Sequence, residues 1–242
     1  MDINLKAIGE VRSCFKEKFG IPRQPNLVKD APGKLVLYPA YARQEAVRFL
    51  EGFSHVWILF LFHKTGEGTP ENWSPGHWSP MVRPPRLGGN KKVGVFASRS
   101  PFRPNPIGMS CVALESVELS ETGPVLHLSG VDILDRTPVL DIKPYVPYSD
   151  ALPEARDGFA DGPPKPGLTV IFSQKAAAQI RDREGDIPAL EAVIRGVLEN
   201  DPRPAYTGNT APERVYGIRL YDMDVKWQVT DTQVTVISAE RV

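Results

Sequence analysis

The chain has 242 residues, with 29 Lys and Arg against 29 Asp and Glu, 41% hydrophobic residues and 24 prolines. That length suits one large folded unit or two smaller ones, and the prolines stiffen its connections. Cys14 and Cys111 are far apart, and the four histidines form no HxxxH pattern, so a disulfide framework and a zinc site of ordinary spacing are excluded and no metal is expected.

Leu5–Arg12 and Lys34–Tyr38 read as short strands. Ala42–Phe53 reads as a helix, because Ala46, Phe49, Leu50 and Phe53 fall at i, i+3, i+4 and i+7 and Gly52 stands near its end. His55–Phe62 is a continuous apolar run of strand length, predicted to be buried. Its apolar core, Val56–Phe62, is too short to span a bilayer, which takes about 20 residues. The opening MDINLKAIGEVRS has no secretory h-region, so a cytoplasmic location is expected. Thr65–Gly89 is a long loop carrying Trp73 and Trp78, and loops of that length are usually functional or mobile.

Three more strands follow at Val93–Ala97, Met109–Leu119 and Val125–Leu134, the last two joined by a turn at Glu121–Pro124. No ten-residue helical pattern separates them, which disfavours βαβ units and favours an antiparallel, barrel-like sheet. Pro147–Gly167 has the composition of a linker. Beyond it Ser173 can cap a helix running to Arg183. A second helix follows Asp186, with Pro188 near its start and Leu190, Ile194, Val197 and Leu198 on one face. Two alternating strands end the chain, with Val225, Trp227 and Val229 facing Val234 and Val236 across a turn at Thr230–Thr232. The expected fold is mainly β with α+β: an N-terminal antiparallel β-barrel-like domain over 1–148 and a small C-terminal α+β domain over 149–242.

Zero net charge hides an asymmetry. Residues 1–149 carry 18 Lys and Arg against 14 Asp and Glu, and the remainder carries 11 against 15. From Met81 to Ser110 there are six cations, Arg83, Arg86, Lys91, Lys92, Arg99 and Arg103, and no acid, a pattern that can attract phosphate even on a neutral protein. The densest stretch is Gly94–Ser110, GVFASRSPFRPNPIGMS. Arg99 and Arg103 suit bidentate contact with phosphate or carboxylate. Asn105 can bond a base edge or ribose, and the prolines hold the loop in one shape. The bland reading is a stiff loop packed on a neighbour.

In Gly130–Tyr145, Asp132, Asp135 and Asp141 interrupt an apolar run. A carboxylate there can hold a ligand hydroxyl or take a proton, or these can be plain turn and cap aspartates. Phe15–Val28 is a basic loop with Lys16, Lys18 and Arg23, suited to phosphate or simply solvated. His63-Lys64 ends the apolar strand, where a lone histidine is more often structural than catalytic. Arg203 and Tyr206 in DPRPAY can contact a phosphate and stack on a base of single-stranded RNA, or merely terminate a helix. There is no GxGxxG after a strand, no GxxxxGK[ST], no GxSxG and no HExxH.

The pieces IGEVRSCFKEKFGIPRQPNLV, EGFSHVWILFLFH, VRPPRLGGN, GVFASRSPFRPNPIGMS, DILDRTPVLDIKPY and DPRPAY occur in this order, and together they resemble the TsaA/TrmO-like family of tRNA methyltransferases. The resemblance implies a β-barrel-like enzyme that uses S-adenosylmethionine, works as a homodimer and methylates N6 of threonylcarbamoyl-adenosine at tRNA position 37, beside the anticodon. It places cofactor contacts at Pro25, Asn26, Leu27, His63, Lys64, Arg99, Met109 and the segment Asp132, Ile133, Leu134 and Asp135. Catalytic duty is expected of Asp132, Asp135 and Asn105, and RNA contact of Lys18, Arg23, Lys91, Lys92, Arg103, Arg203 and Tyr206. The smaller C-terminal domain is expected to help hold the anticodon arm. Asn26 and Arg136 stand where the family pattern has glycine. The alternative is a non-enzymatic nucleotide- or RNA-binding module on the same barrel.

Overall fold

A computed structural model describes residues 3–64, 78–160, 162, 167–203 and 214–242. The first part of the chain forms β1 (Gly9–Ser13), β2 (Gly33–Leu37), β3 (His55–Leu61), β4 (Met81–Val82), β5 (Val93–Gly94), β6 (Ile107–Ser120), β7 (Gly123–Ser129) and β8 (Thr137–Pro144). Six of these close an antiparallel barrel in the order β1-β2-β7-β6-β3-β8, and β4 and β5 pair as a small separate ribbon. The barrel follows from period-two alternation. Val56, Ile58 and Phe60 of β3 and Leu126 and Leu128 of β7 point into one core with Val11, Leu35, Val112 and Val139. The run His55–Leu61 is thus buried on alternate residues rather than throughout.

The helix expected over Ala42–Phe53 does not form. Two single 3₁₀ turns, Gln44–Val47 and Leu50–Gly52, stand in its place. Arg48 is extended and Phe49 is left-handed at φ 68°, so no helical ladder propagates between them. Phe49 is 78% exposed, while Val47 enters the barrel core with Ala42 and Leu50 packed behind it. Helix-spaced apolar residues here plug a barrel end. Val93–Ala97 is likewise a strand only at Val93–Gly94, and Val95–Ala97 is a turn that buries Val95. The strand expected to reach Leu134 stops at Ser129. Gly130 turns the chain at φ 68°, and Val131 and Ile133 are buried as irregular backbone. The run after Asp135 becomes β8, which closes the barrel on β1 and β3.

After a short helix α1 (Pro147–Asp150) come β9 (Thr169–Phe172), α2 (Gln174–Arg181), α3 (Leu190–Glu199), β10 (Tyr216–Leu220), β11 (Met223–Thr230) and β12 (Gln233–Arg241). The four strands make one sheet ordered β10-β11-β12-β9, with β9 parallel to β12. The final hairpin has the expected pairing, Trp227 opposite Val236 and Val229 opposite Val234. The apolar face of α3 is buried as expected. Ser173 caps α2, its Oγ accepting from the Ala176 N–H at 3.1 Å and donating to the Ile237 carbonyl at 2.9 Å. Ser173→Ala should therefore lower stability by about 1 kcal/mol, measurable by urea unfolding; an unchanged midpoint would refute the cap's contribution.

The second core is not made by the second half of the chain alone. Cys14, Phe15, Val28 and Ala31 are buried in it, alongside Ile218, Leu220 and Val197. The chain between β1 and β2 therefore leaves the barrel, crosses to the second sheet and returns.

Candidate active site

At the mouth of the barrel lies a cavity of about 460 Å³. Distant parts of the sequence wall it: Lys18 to Gln24 of the crossing segment, the end of β3 with His63 and Lys64, the Arg99–Arg103 turn, the start of β6 and the segment before β8. Of the residues expected from the sequence, it gathers Lys18, Arg23, His63, Lys64, Arg99, Arg103, Met109, Asp132, Ile133 and Leu134. The turn that carries the arginines is pinned through its backbone carbonyls. Phe62 N–H donates to the Pro106 carbonyl at 2.8 Å, and Ser98 Oγ donates to the Val95 carbonyl at 2.8 Å. Arg99 Nη1 reaches across to Gln24 Oε1 at 2.6 Å, joining the turn to the crossing segment.

Asp132 is the acid in this wall. Its Oδ1 accepts from the buried Ser110 hydroxyl at 2.6 Å. Burial pushes its carboxyl up to about 6, against the opposing pull of the Ser110 bond, its own backbone N–H and the Arg99 charge. Desolvation wins because the carboxylate has few polar partners to replace water. His63 moves the other way: burial first, then the charges of Lys64 and Lys18, hold its imidazole below the usual range. At neutral pH the wall thus offers an ionised carboxylate and a neutral imidazole, both able to accept a proton.

The sequence reading missed Ser110 and the apolar lining, Phe60, Phe62, Phe102 and Gly108. Phe60 and Phe62 meet edge to face with centroids 5.1 Å apart. The alternation of β3 could have flagged Phe60 as inward; nothing in the local sequence marks the Ser110 hydroxyl.

Other expected residues lie elsewhere. Asp135 turns away from the cavity, its Oδ1 accepting from the Ser13 N–H at 2.9 Å and its Oδ2 paired with Lys16 at 2.8 Å. It lines a separate, more open groove with Arg12, Lys34 and Arg136. Asn105 is exposed on the turn outside the cavity lining. Pro25 and Leu27 flank Asn26 beyond the lining residues. Asn26 is structural: its Nδ2 donates to the Cys111 carbonyl at 3.0 Å and its N–H to the Gly130 carbonyl at 2.9 Å. Lys91 and Lys92 are exposed next to β5. The Arg203 guanidinium is held by Asp201 at 2.8 Å and is nearly buried, so it is committed within its own turn. Tyr206 and Trp73 lie outside the described residues. The two departures from the family's glycines have one explanation. Asn26 at φ 63° and Arg136 at φ 60° are both left-handed, a backbone region that glycine enters freely and asparagine tolerates.

The family model for the tRNA-methyltransferase O N-terminal domain matches residues 10–151, and that for the TrmO C-terminal domain matches residues 165–242. The chain is 47% identical to the tRNA (adenine(37)-N6)-methyltransferase of Escherichia coli (strain K12) over 233 residues, 96% of each chain. It is 50% identical over 229 residues to a putative S-adenosylmethionine-dependent methyltransferase, RcsF, of Pseudomonas aeruginosa, 94% of this chain and 93% of that one. A crystal structure of TrmO from Pseudomonas aeruginosa superposes with a TM-score of 0.80 at 41% identity, covering 99% of both chains. With both family models matched in order and a relative aligned nearly end to end, the chain belongs to the TrmO family.

Proposed function

We propose that this protein is an S-adenosylmethionine-dependent methyltransferase that methylates N6 of adenine 37 in tRNA, and that its substrate carries the threonylcarbamoyl group there. The observation that carries the reading is Asp132, a desolvated carboxylate in the wall of a cationic cavity, in a chain of this family. The cavity's size falls within the roughly 300–1,000 Å³ usual for small-molecule sites.

The donor set fits the cofactor. Asp132 offers an acceptor for its hydroxyl or ammonium groups, the Met109 and Ile133–Leu134 stretches offer apolar and backbone contact, and Arg99 offers a partner for its carboxylate. When bound, S-adenosylmethionine supplies a methyl group activated by a sulfonium cation. The chain's own residues do the rest. Phe60 and Phe62 give the cavity an apolar wall, beside which charge interactions are stronger than in bulk water. Lys18, Lys64 and Arg103 orient an anionic substrate so that the acceptor nitrogen is aligned. Asp132 or neutral His63 receives the N6 proton. Asn105 and Asp135 are expected from the sequence to be catalytic, but they lie outside this wall, so the assignment rests on Asp132.

The same reading takes the chain as a cytoplasmic homodimer, divided into a methyltransferase domain over 1–148 and a smaller domain over 149–242 that holds the anticodon arm. The dimer rests on the family resemblance, and sedimentation of the full chain at micromolar concentration tests it. No helix among the described residues is long and apolar enough to cross a membrane.

The test is to incubate the protein with methyl-labelled S-adenosylmethionine and tRNA with or without the threonylcarbamoyl group. Label should enter only the modified tRNA. Binding of tRNA without transfer of label supports the non-enzymatic alternative and ends this reading. The RNA footprint has its own test. Lys18, Arg23, Lys91 and Lys92 are exposed, so tRNA binding should weaken linearly with log salt. Replacing Lys91 and Lys92 with alanine should flatten that slope by roughly 2. An unchanged slope removes them from the footprint.

A further inference from the structure

The segment Cys14–Ala31 has two faces. One is built into the second core through Phe15, Val28 and Ala31, with Phe19 and Ile21 packed against it. The other presents Lys18, Pro22, Arg23 and Gln24 to the cavity. It is fastened to β10 and the residue after it: Tyr221 N–H donates to the Cys14 carbonyl at 2.7 Å, Phe15 bridges Leu220, and Arg219 N–H donates to Glu17 Oε1 at 2.9 Å. The end of α3 holds it from another side. Asn200 Nδ2 donates to the Leu27 carbonyl at 3.3 Å, and Arg23 Nη2 donates to the Arg203 carbonyl at 3.2 Å.

The same segment also positions the acidic wall. Gly130 and Val131 donate to the Lys29 and Ala31 carbonyls at 3.0 and 3.1 Å, and Asp135 N–H donates to the Phe15 carbonyl at 2.9 Å. Asp132 therefore lies between two attachments to a segment whose other side is packed in the second core.

We propose that the C-terminal unit is a working part of the small-molecule site: it sets the position of residues 14–31, so that filling the cavity and packing the second core are coupled. The inference rests on the cofactor reading above and adds that RNA engaging the C-terminal unit alters cofactor affinity, and the reverse, by the reciprocity of linked equilibria. Ile218 is the positioning residue that reports it. It is fully buried on β10 and absent from the cavity lining. It packs on Gly20, whose φ of 90° strains any side chain and where an added Cβ would lie 3.3 Å from Ile218 Cγ2. The next residues along, Ile21 and Pro22, are cavity wall.

The experiment uses the full chain and S-adenosylhomocysteine, with affinity read by calorimetry. Ile218→Ala should weaken binding about five- to tenfold. Ile180→Ala removes the same atoms from the same core, but on α2, which packs on β12 and β9. It should lower thermal stability comparably and leave affinity within about twofold. Equal effects of the two variants, or no effect of either, overturn the proposal. In the unmutated protein the ligand should slow amide exchange at Ile218 and Leu220, which keeps the idea testable if Ile218→Ala does not fold; protection confined to the barrel overturns it. Failure of the unmutated protein to bind overturns the cofactor reading itself and this inference with it.

Discussion

Asp132→Asn should cripple methyl transfer and yet make the ligand-free protein more stable at neutral pH. Burial raises this carboxyl from 3.8 to about 6, so the folded chain binds its proton more tightly than the unfolded chain does. The stabilisation from the protonated form is complete below about 4 and is lost as pH rises through about 6. At pH 7.5 the ionised carboxylate then costs the fold on the order of 3 kcal/mol. Asparagine has the same shape, carries no charge and still accepts from Ser110. The variant should therefore gain stability over the parent between pH 4 and 6.5 and hold that gain above, as urea unfolding at pH 4 and 7.5 would show. Its methyl transfer should fall by roughly 100-fold or more. In the parent, turnover at low substrate should decline below pH 6 as Asp132 takes up its proton. A variant that is less stable at pH 7.5, or that transfers methyl within about threefold of the parent, removes Asp132 from the role given to it.

Gly108→Val should damage both stability and binding. Gly108 lies directly opposite Phe60 in the β3–β6 register, and a Cβ there would run into the Phe60 ring. Phe60 is 4% exposed and braced by Phe62, so the ring cannot swing away freely. Both residues line the cavity. Overpacking of this kind costs about 1–3 kcal/mol, and a displaced ring alters the wall where the cofactor would lie. S-adenosylhomocysteine binding should weaken at least about tenfold, with a drop in melting temperature. Shortening Phe60 to leucine in the same chain should recover part of both losses, because residues in contact are not additive. Normal melting and normal affinity in Gly108→Val would falsify the steric argument.

What the sequence reveals depends on how local the cause is. The alternation of β7 and of the final hairpin is visible because inward and outward residues differ in kind at period two. The 42–53 stretch misleads because a plug for a barrel end and a helix stripe can share the same apolar spacing. Asp132 and Asp135 look equivalent three residues apart. What separates them is tertiary: one meets Ser110 in the cavity wall, the other meets Lys16 and the Ser13 amide. Arg203 looks like an RNA contact until Asp201, two residues away, is seen to hold it. The sequence and the family resemblance point to the charged residues of the cavity wall but not to its apolar part, and Phe15 and Val28 carry nothing in their own sequence to say which core they join.

That last point has a consequence for how the molecule comes into being. Gly9 pairs with Val139, and Phe15 bridges Leu220. During synthesis the barrel can close only after β8 has emerged, and the crossing segment stays unseated until β10 follows. At about 5–20 residues per second, the apolar sides of Phe15 and Val28 wait roughly 10–40 s for their partners. The cavity is thus finished only after both β8 and β10 are available, and a growing chain has no assembled methyl-donor site until β10 has left the ribosome.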